Sequence, residues 1–464
     1  MSEATSQPAP APESSPEGDP EDAQQTLKRD TLRGAIVSGS GIGLGLVSQV
    51  VLAKTLSLEG YGLYTYVITI LGVVMLATRH GWDILLIRNV AAFREKQEWG
   101  LLRGILRRGF QLSLGATAAA ALIQALIGLG LGSEFGWALV IGAPVLVLWT
   151  ALTVAGGLLN GLGRVVFGHG LQTLFAPGVF LVAVFAAGYL KAEPLEGSEA
   201  LGLYGGAFFL ALLLAIVASR RRLRELDLGA HPPAYETRAW LRIALPLAVA
   251  VAADLLLRRT DVLCVGGLLG TTQAGIYRVA VLGSVVAITV VVAAEVALLP
   301  LCSRSYASGQ LASLRRLVRL TALLSFVTTA LGGVGLWLIG EPLLRWLRPE
   351  FVAAFPALVI LLWGAALGQL FGPTRSLAMM ASQQRAAAWS AGIGVAINVT
   401  LNLALIPRYQ LLGAAYATAI TLFLTRGGLW IYLRRTVGVD TSVFSVVLPQ
   451  PPRPEWARGE ASAT

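Results

Sequence analysis

Hydrophobic windows of about 20 residues recur along this chain, near 35–55, 62–82, 109–131, 136–158, 168–190 and 200–219. Six more follow, near 242–268, 275–301, 318–340, 352–372, 386–406 and 411–433. Each has the length that an α-helix needs to cross a hydrocarbon core about 30 Å thick. The chain therefore reads as an all-α polytopic membrane protein of about twelve transmembrane helices, and the even number puts both termini on one side.

Composition agrees. With 55% hydrophobic and 13% charged residues over 464 positions, and a mean hydropathy of +0.69, there is too little polar surface to coat soluble domains of this length. The net charge of +10 is spread over short connections, which points to topology and away from nucleic acid. Lys28, Arg29, Arg33, Arg88, Arg94, Lys96, Arg103, Arg107, Arg108, Arg164 and Arg220 to Arg242 fall on one side, with Arg304, Arg315, Arg316, Arg319, Arg375, Arg385, Arg434 and Arg435. The other side has little beyond Lys54, Lys191, Arg345, Arg348 and Arg408. By the positive-inside rule the rich side, with both termini, is cytoplasmic.

Sliding the halves past each other by a little over two hundred residues gives an internal echo. Gly62-Leu63-Tyr64 matches Gly275-Ile276-Tyr277, Asp83 falls near Glu295, Arg103 and Arg107 match Arg315 and Arg319, and Leu201-Gly202 matches Leu412-Gly413. Two six-span copies of the same orientation are expected to be parallel repeats, with substrate handled at their interface. The division is a disordered cytoplasmic tail at 1–30, six-helix bundles at 31–225 and 241–436, a linker at 226–240 and a second tail at 437–464. Residues 1–25 are rich in Pro, Ser, Glu and Asp, bury too little to fold, and lack the pattern of a cleaved signal.

Several chemistries drop out. Cys264 and Cys302 offer neither a disulfide framework nor metal spacing, and His80, His169 and His231 are not grouped as ligands. The first span, Ser38-Gly39-Ser40-Gly41-Ile42-Gly43-Leu44-Gly45, is glycine-rich without the Gly-Lys-Ser/Thr of a phosphate loop, and its small-xxx-small pairs suit close helix packing. No connection is long enough for a soluble catalytic domain, so neither an enzyme nor a bound cofactor is expected.

Charge inside the seventh window is the main functional signal. Asp254, Arg258, Arg259 and Asp261 sit near its middle, where an ionised side chain costs about 2.5–3.5 kcal/mol even on lenient scales and normally faces a protein interior or water. The spacing allows Asp254, Arg258 and Asp261 along one helical face, with Arg259 on another. Such a group either neutralises itself to let the helix insert, or presents a cation to an anionic cargo beside an acid that orients it or carries a proton. A guanidinium matches phosphate oxygens in a bidentate fork, so a phosphate-bearing cargo is favoured. Arg278 near the outer end of the eighth span joins the candidate substrate contacts, and Asp83, Arg88 and Glu295 at inner ends are candidate ion-pair or coupling groups. Asn402, with Asn398, Gln172 and Gln49, either lines a sugar-binding cavity or bonds across helices.

These stretches carry a family resemblance. Leu56-Ser57-Leu58-Glu59-Gly60-Tyr61-Gly62-Leu63-Tyr64, Gly81-Trp82-Asp83 through Arg88-Asn89-Val90-Ala91, Arg259-Thr260-Asp261 before Gly275-Ile276-Tyr277, and Asn402 to Pro407 before Gly413-Ala414-Ala415 resemble the Wzx-type polysaccharide flippases. Those proteins belong to the multidrug/oligosaccharidyl-lipid/polysaccharide (MOP) superfamily, and the resemblance runs from about Arg33 to Arg435. It implies a MATE-like fold of two six-helix bundles around a central cationic cavity. It also implies movement of a polyprenyl-diphosphate-linked oligosaccharide to the outer leaflet by alternating access, for lipopolysaccharide or exopolysaccharide biosynthesis. Some members couple to a proton or sodium gradient. The implied partners are this glycolipid, membrane lipids, a polysaccharide polymerase and glycosyltransferases. The alternative on the same fold is a drug or metabolite/cation antiporter. A membrane glycan polymerase would need an outer catalytic loop, which the short outer connections do not supply.

Overall fold

The computed structural model describes residues 20–191, 193–226, 231–308 and 310–446. Among the described residues the regular elements are helices, with one isolated bridge between Leu56 and Leu195. The first lobe contains α1 (Pro20–Thr55), α2 (Leu58–Thr78), α3 (Trp82–Glu95), α4 (Trp99–Leu131) and α5 (Glu134–Gly161). It continues with α6 (Val165–Gly170), a π turn (Leu171–Phe175), α7 (Ala176–Leu190) and α8 (Gly197–Arg224). The second lobe contains α9 (Thr237–Leu257), α10 (Thr260–Leu269), α11 (Thr271–Ala307) and α12 (Leu311–Leu347), then a 3-10 turn (Pro349–Ala354). It ends with α13 (Phe355–Gln369), α14 (Thr374–Met380), α15 (Gln384–Tyr409) and α16 (Leu411–Thr436).

Ten helices among the described residues are long and apolar enough to span a membrane. The two other expected spans are present as the broken pair α9 and α10, and as α16. Exposed apolar rows such as Leu122, Ile123, Leu126 and Ile127 on α4, and Trp337, Leu338 and Ile339 on α12, suit lipid rather than water. The protein is a multi-pass membrane protein.

Local chemistry sets the boundaries. Ser57 caps α2 by accepting from Gly60 N at 2.9 Å, Ser133 caps α5 by accepting from Gly136 N at 3.1 Å, and Glu196 with Glu199 forms a capping box on α8. At the other end of α2, His80 and Gly81 adopt positive φ (51° and 73°) and turn the chain into α3. Asp83 and Arg88 therefore do not extend the second span, as the sequence suggested, but lie on a separate helix. The first tail expectation falls on residues 1–19, outside the described residues, and on the start of α1, which is helical from Pro20.

Both lobes bring their arginine-rich connections to one end, and at the opposite end they seal against each other. There α2 and α11 cross so closely that a Cβ on Gly275 would stand 2.6 Å from the Gly62 Cα. Tyr61 packs edge-on to Phe351 with centroids 5.5 Å apart, Arg348 donates to the Leu56 carbonyl at 2.6 Å, and the Lys54 ammonium sits 3.2 Å above the Trp346 ring. The Gly-x-Tyr copies of the two halves thus meet at the interface.

The chain after each lobe folds back across the arginine-rich end. Arg103 donates to the His231 carbonyl at 2.7 Å and Ala234 N to the Gly100 carbonyl at 2.9 Å, which straps the linker to α4. In the second lobe Arg315, the repeat counterpart of Arg103, donates to the Gly438 carbonyl at 2.8 Å. Thr441 and Val443 N bond the Phe371 and Leu370 carbonyls at 2.7 and 2.9 Å. Residues 437–445 of the second tail are thus packed against the lobe, and 447–464 lie outside the described residues.

Candidate functional site

The seventh span breaks at Arg258 and Arg259, between α9 and α10. A break inside a membrane needs its freed carbonyls satisfied, and Thr260 Oγ1 donates to the Leu256 carbonyl at 2.6 Å while Arg259 N does so at 2.9 Å. The turn separates Asp254 and Arg258, which stay paired, from Arg259 and Asp261. The expected single face of Asp254, Arg258 and Asp261 does not form, because helical spacing does not continue through a break.

Arg259 projects across to the first lobe and rests on Gly72 of α2, where a Cβ would overlap its guanidinium. It lines a recess with Arg278, which lies about two turns into α11, and with Val262. Gln49 of α1 and Tyr64, Thr65, Ile68 and Thr69 of α2 complete the wall. Both lobes therefore contribute. The recess holds about 60 Å³, room for several water molecules. Gln49 Oε1 accepts from the Tyr61 hydroxyl at 3.3 Å, which leaves its amide nitrogen as a donor toward a ligand. Among the described residues no carboxylate pairs with Arg259 or Arg278.

Asp261 is buried on α10 behind this wall. It accepts from its neighbour Val262 N at 2.8 Å, from the Tyr277 hydroxyl at 3.1 Å and from the Thr418 hydroxyl at 3.4 Å. Asp254 instead shares its carboxylate between Arg258, at 3.3 Å, and Arg375 of α14. Asp83 pairs with Arg79 at 3.0 Å on the arginine-rich side of the first lobe, and Arg88 is exposed. Asn402 donates to the Asn398 carbonyl and Oδ1 at 2.8 and 2.9 Å, and Asn398 reaches Thr421 at 3.5 Å. Both asparagines are fully buried, so Asn402 bonds within α15 and Asn398 carries the link to α16, and neither lines the recess. The side chain of Glu295 lies outside the described residues.

The structure thus brings Arg259 and Arg278 together and sets Arg258, Asp83, Arg88 and Asn402 apart from them. Sequence reasoning left Arg375 among the topogenic loop arginines and did not single out Gly72, Thr65 or Thr69. The four-residue spacing of Tyr61, Thr65 and Thr69 was an available sign of a polar helix face. No group of residues suited to hold a metal ion is found among the described residues.

A model of the family described as polysaccharide biosynthesis protein matches residues 27–306, more than half of the chain. The chain belongs to this polysaccharide biosynthesis protein family. None of the curated proteins matches it in sequence. Among solved structures, an inward-facing multidrug resistance MATE transporter of the MOP superfamily superposes with a TM-score of 0.68 at 12% identity, covering 85% of this chain and 94% of that one. The lipid II flippase MurJ in an inward closed conformation gives 0.66 at 14% identity, with 86% and 87% covered. A MOP superfamily transporter from Pyrococcus furiosus Vc1, described as having a binding pocket of reverse polarity, gives 0.53 at 13% identity, with 87% and 94% covered. At such identities these likenesses speak to fold. Family membership and fold together make this polysaccharide biosynthesis protein a multi-pass membrane protein with a MATE-like fold.

Proposed function

We propose that this protein translocates a polyprenyl-diphosphate-linked oligosaccharide from the inner to the outer leaflet of the plasma membrane, by alternating access, for surface polysaccharide biosynthesis. One observation carries the reading. Arg259 and Arg278 line a recess shared by both lobes, and no described carboxylate pairs with either. Unpaired guanidinium groups at that depth are costly, and an anionic cargo that pairs with both offsets the cost. The arginine-rich end is then cytoplasmic, with both termini, and the sealed end is the outer one. An inside-negative potential favours outward movement of the diphosphate by about 2.3 kcal/mol per charge per 100 mV. Asp261, a buried acid that accepts from two hydroxyl groups, would couple the cycle to a proton or sodium gradient. A polysaccharide polymerase and glycosyltransferases would act on either side of this step.

A cationic cargo, as for a drug antiporter, would meet two arginines and no described acid in the recess. The test is a deletion strain complemented with R259Q/R278Q. The variant is expected to insert normally and to leave the cell without surface glycan. Normal glycan export, or a drug-sensitivity phenotype with intact glycan, contradicts the reading.

A further inference from the structure

The Asp254 cluster stands outside the recess. Two arginines share its carboxylate, Arg375 at Oδ1 and Arg258 at Oδ2, and the trio carries one net positive charge, two cations over one anion. The Asp254 side chain is 22% exposed, whereas Arg258 and Arg375 are 68% and 49% exposed. The cations therefore face open space with the acid behind them.

Contacts along α9 show what that space is. Trp240 packs edge-on to Trp82 with centroids 6.4 Å apart, and Ala244 and Ala248 lie against Gly81, all toward the first lobe. Leu257 lies against Gly394 of α15 in the second lobe. At about 100° per residue, Asp254 falls between these two directions and Arg258 in line with Trp240, while the exposed Val249 points the opposite way to Arg258. The exposed guanidinium groups thus lie on the side of α9 that turns toward the cleft between its two lobe contacts and away from Val249, the side on which charge at this depth is normally placed. The next residue after Arg258 enters the Arg259–Arg278 recess.

We propose that Arg258 and Arg375 form a second anion station in this cleft, with Asp254 as a resident counter-ion that a phosphate of the cargo displaces before Arg259 and Arg278 receive it. The inference rests on the reading of the recess as a diphosphate site. A phosphate offers more charge and more oxygens to two guanidinium forks than one carboxylate does. When the station is empty, Asp254 keeps the two cations from facing each other uncompensated.

The test titrates the purified full-length protein in phosphatidylcholine nanodiscs with geranylgeranyl diphosphate. R375Q is expected to weaken a second, lower-affinity binding step about tenfold, and D254N to strengthen the same step about tenfold. A merely structural ion pair predicts the same direction for both variants, because each breaks the Asp254–Arg375 contact, and that result overturns the station. If R259Q/R278Q loses binding while R375Q and D254N bind as wild type, the station is overturned and the recess reading stands. Wild-type affinity in R259Q/R278Q overturns both. If the R375Q and D254N effects arise only when phosphatidylglycerol is added to the nanodiscs, a lipid headgroup is the ligand and the assignment to cargo is overturned.

Discussion

Gly62 and Gly275 meet backbone to backbone where α2 crosses α11, with no room for a side chain on either: a Cβ on Gly62 would approach Thr271 C at 2.8 Å, and one on Gly275 the Gly62 Cα at 2.6 Å. These two positions are equivalent in the two halves of the chain. Small residues let membrane helices approach closely without a hydrophobic driving force.

A branched side chain at this crossing should hold the sealed end apart. For Gly275→Val we expect membrane insertion to persist, transport to fall at least tenfold, and a cysteine placed at the fully buried Tyr61 to become reactive to a maleimide. Unchanged protection of that cysteine would show that the crossing is not the seal.

Gly72 is expected to act through Arg259 alone. The atom that an added Cβ meets is the far end of a flexible side chain, so Gly72→Ala displaces the guanidinium at little structural expense. Diphosphate affinity should drop about tenfold with a stability change under about 1 kcal/mol, within the range of mutations that spare the core. Affinity and melting temperature measured on one preparation separate this from a folding defect.

The straps should behave differently, because there the obstacle is backbone or a buried charge. A Cβ on Gly104 would overlap the Ala234 carbonyl, so Gly104→Val should release residues 231–236 to protease and destabilise the first lobe by about 1–3 kcal/mol. Asp440 is buried and accepts from Trp430 Nε1 at 2.8 Å and from Ser442 N and Oγ at 2.9 and 2.7 Å, with Arg434 at 3.6 Å. Its replacement by Ala leaves those donors buried without it and should cost about 3–5 kcal/mol, the range for breaking a buried pair. Thermal melts and limited proteolysis of both variants check the pair.

The spans were legible because bilayer thickness fixes a window length, and the repeat because both halves face the same interface. Arg259 stood out as charge where hydrocarbon forbids it. The break at Arg258 and Arg259 was not legible: apolar windows run across a turn as readily as through a helix, so the seventh span read as one face. Arg375 was hidden for another reason. Its partner Asp254 lies 121 residues away, and local sequence reports only that an arginine follows a span. The straps escaped notice because polar segments without periodicity read as loops, although His231 and Gly438 are held by arginines that the repeat had already matched.

The most direct measurement uses proteoliposomes loaded with a fluorescent polyprenyl-diphosphate oligosaccharide, with accessibility to a membrane-impermeant quencher recorded over time. Wild-type protein should expose the inner-leaflet pool, and R259Q/R278Q, inserted to the same level, should expose it no faster than protein-free vesicles. Equal rates for wild type and the double variant would contradict a cargo held by these two arginines.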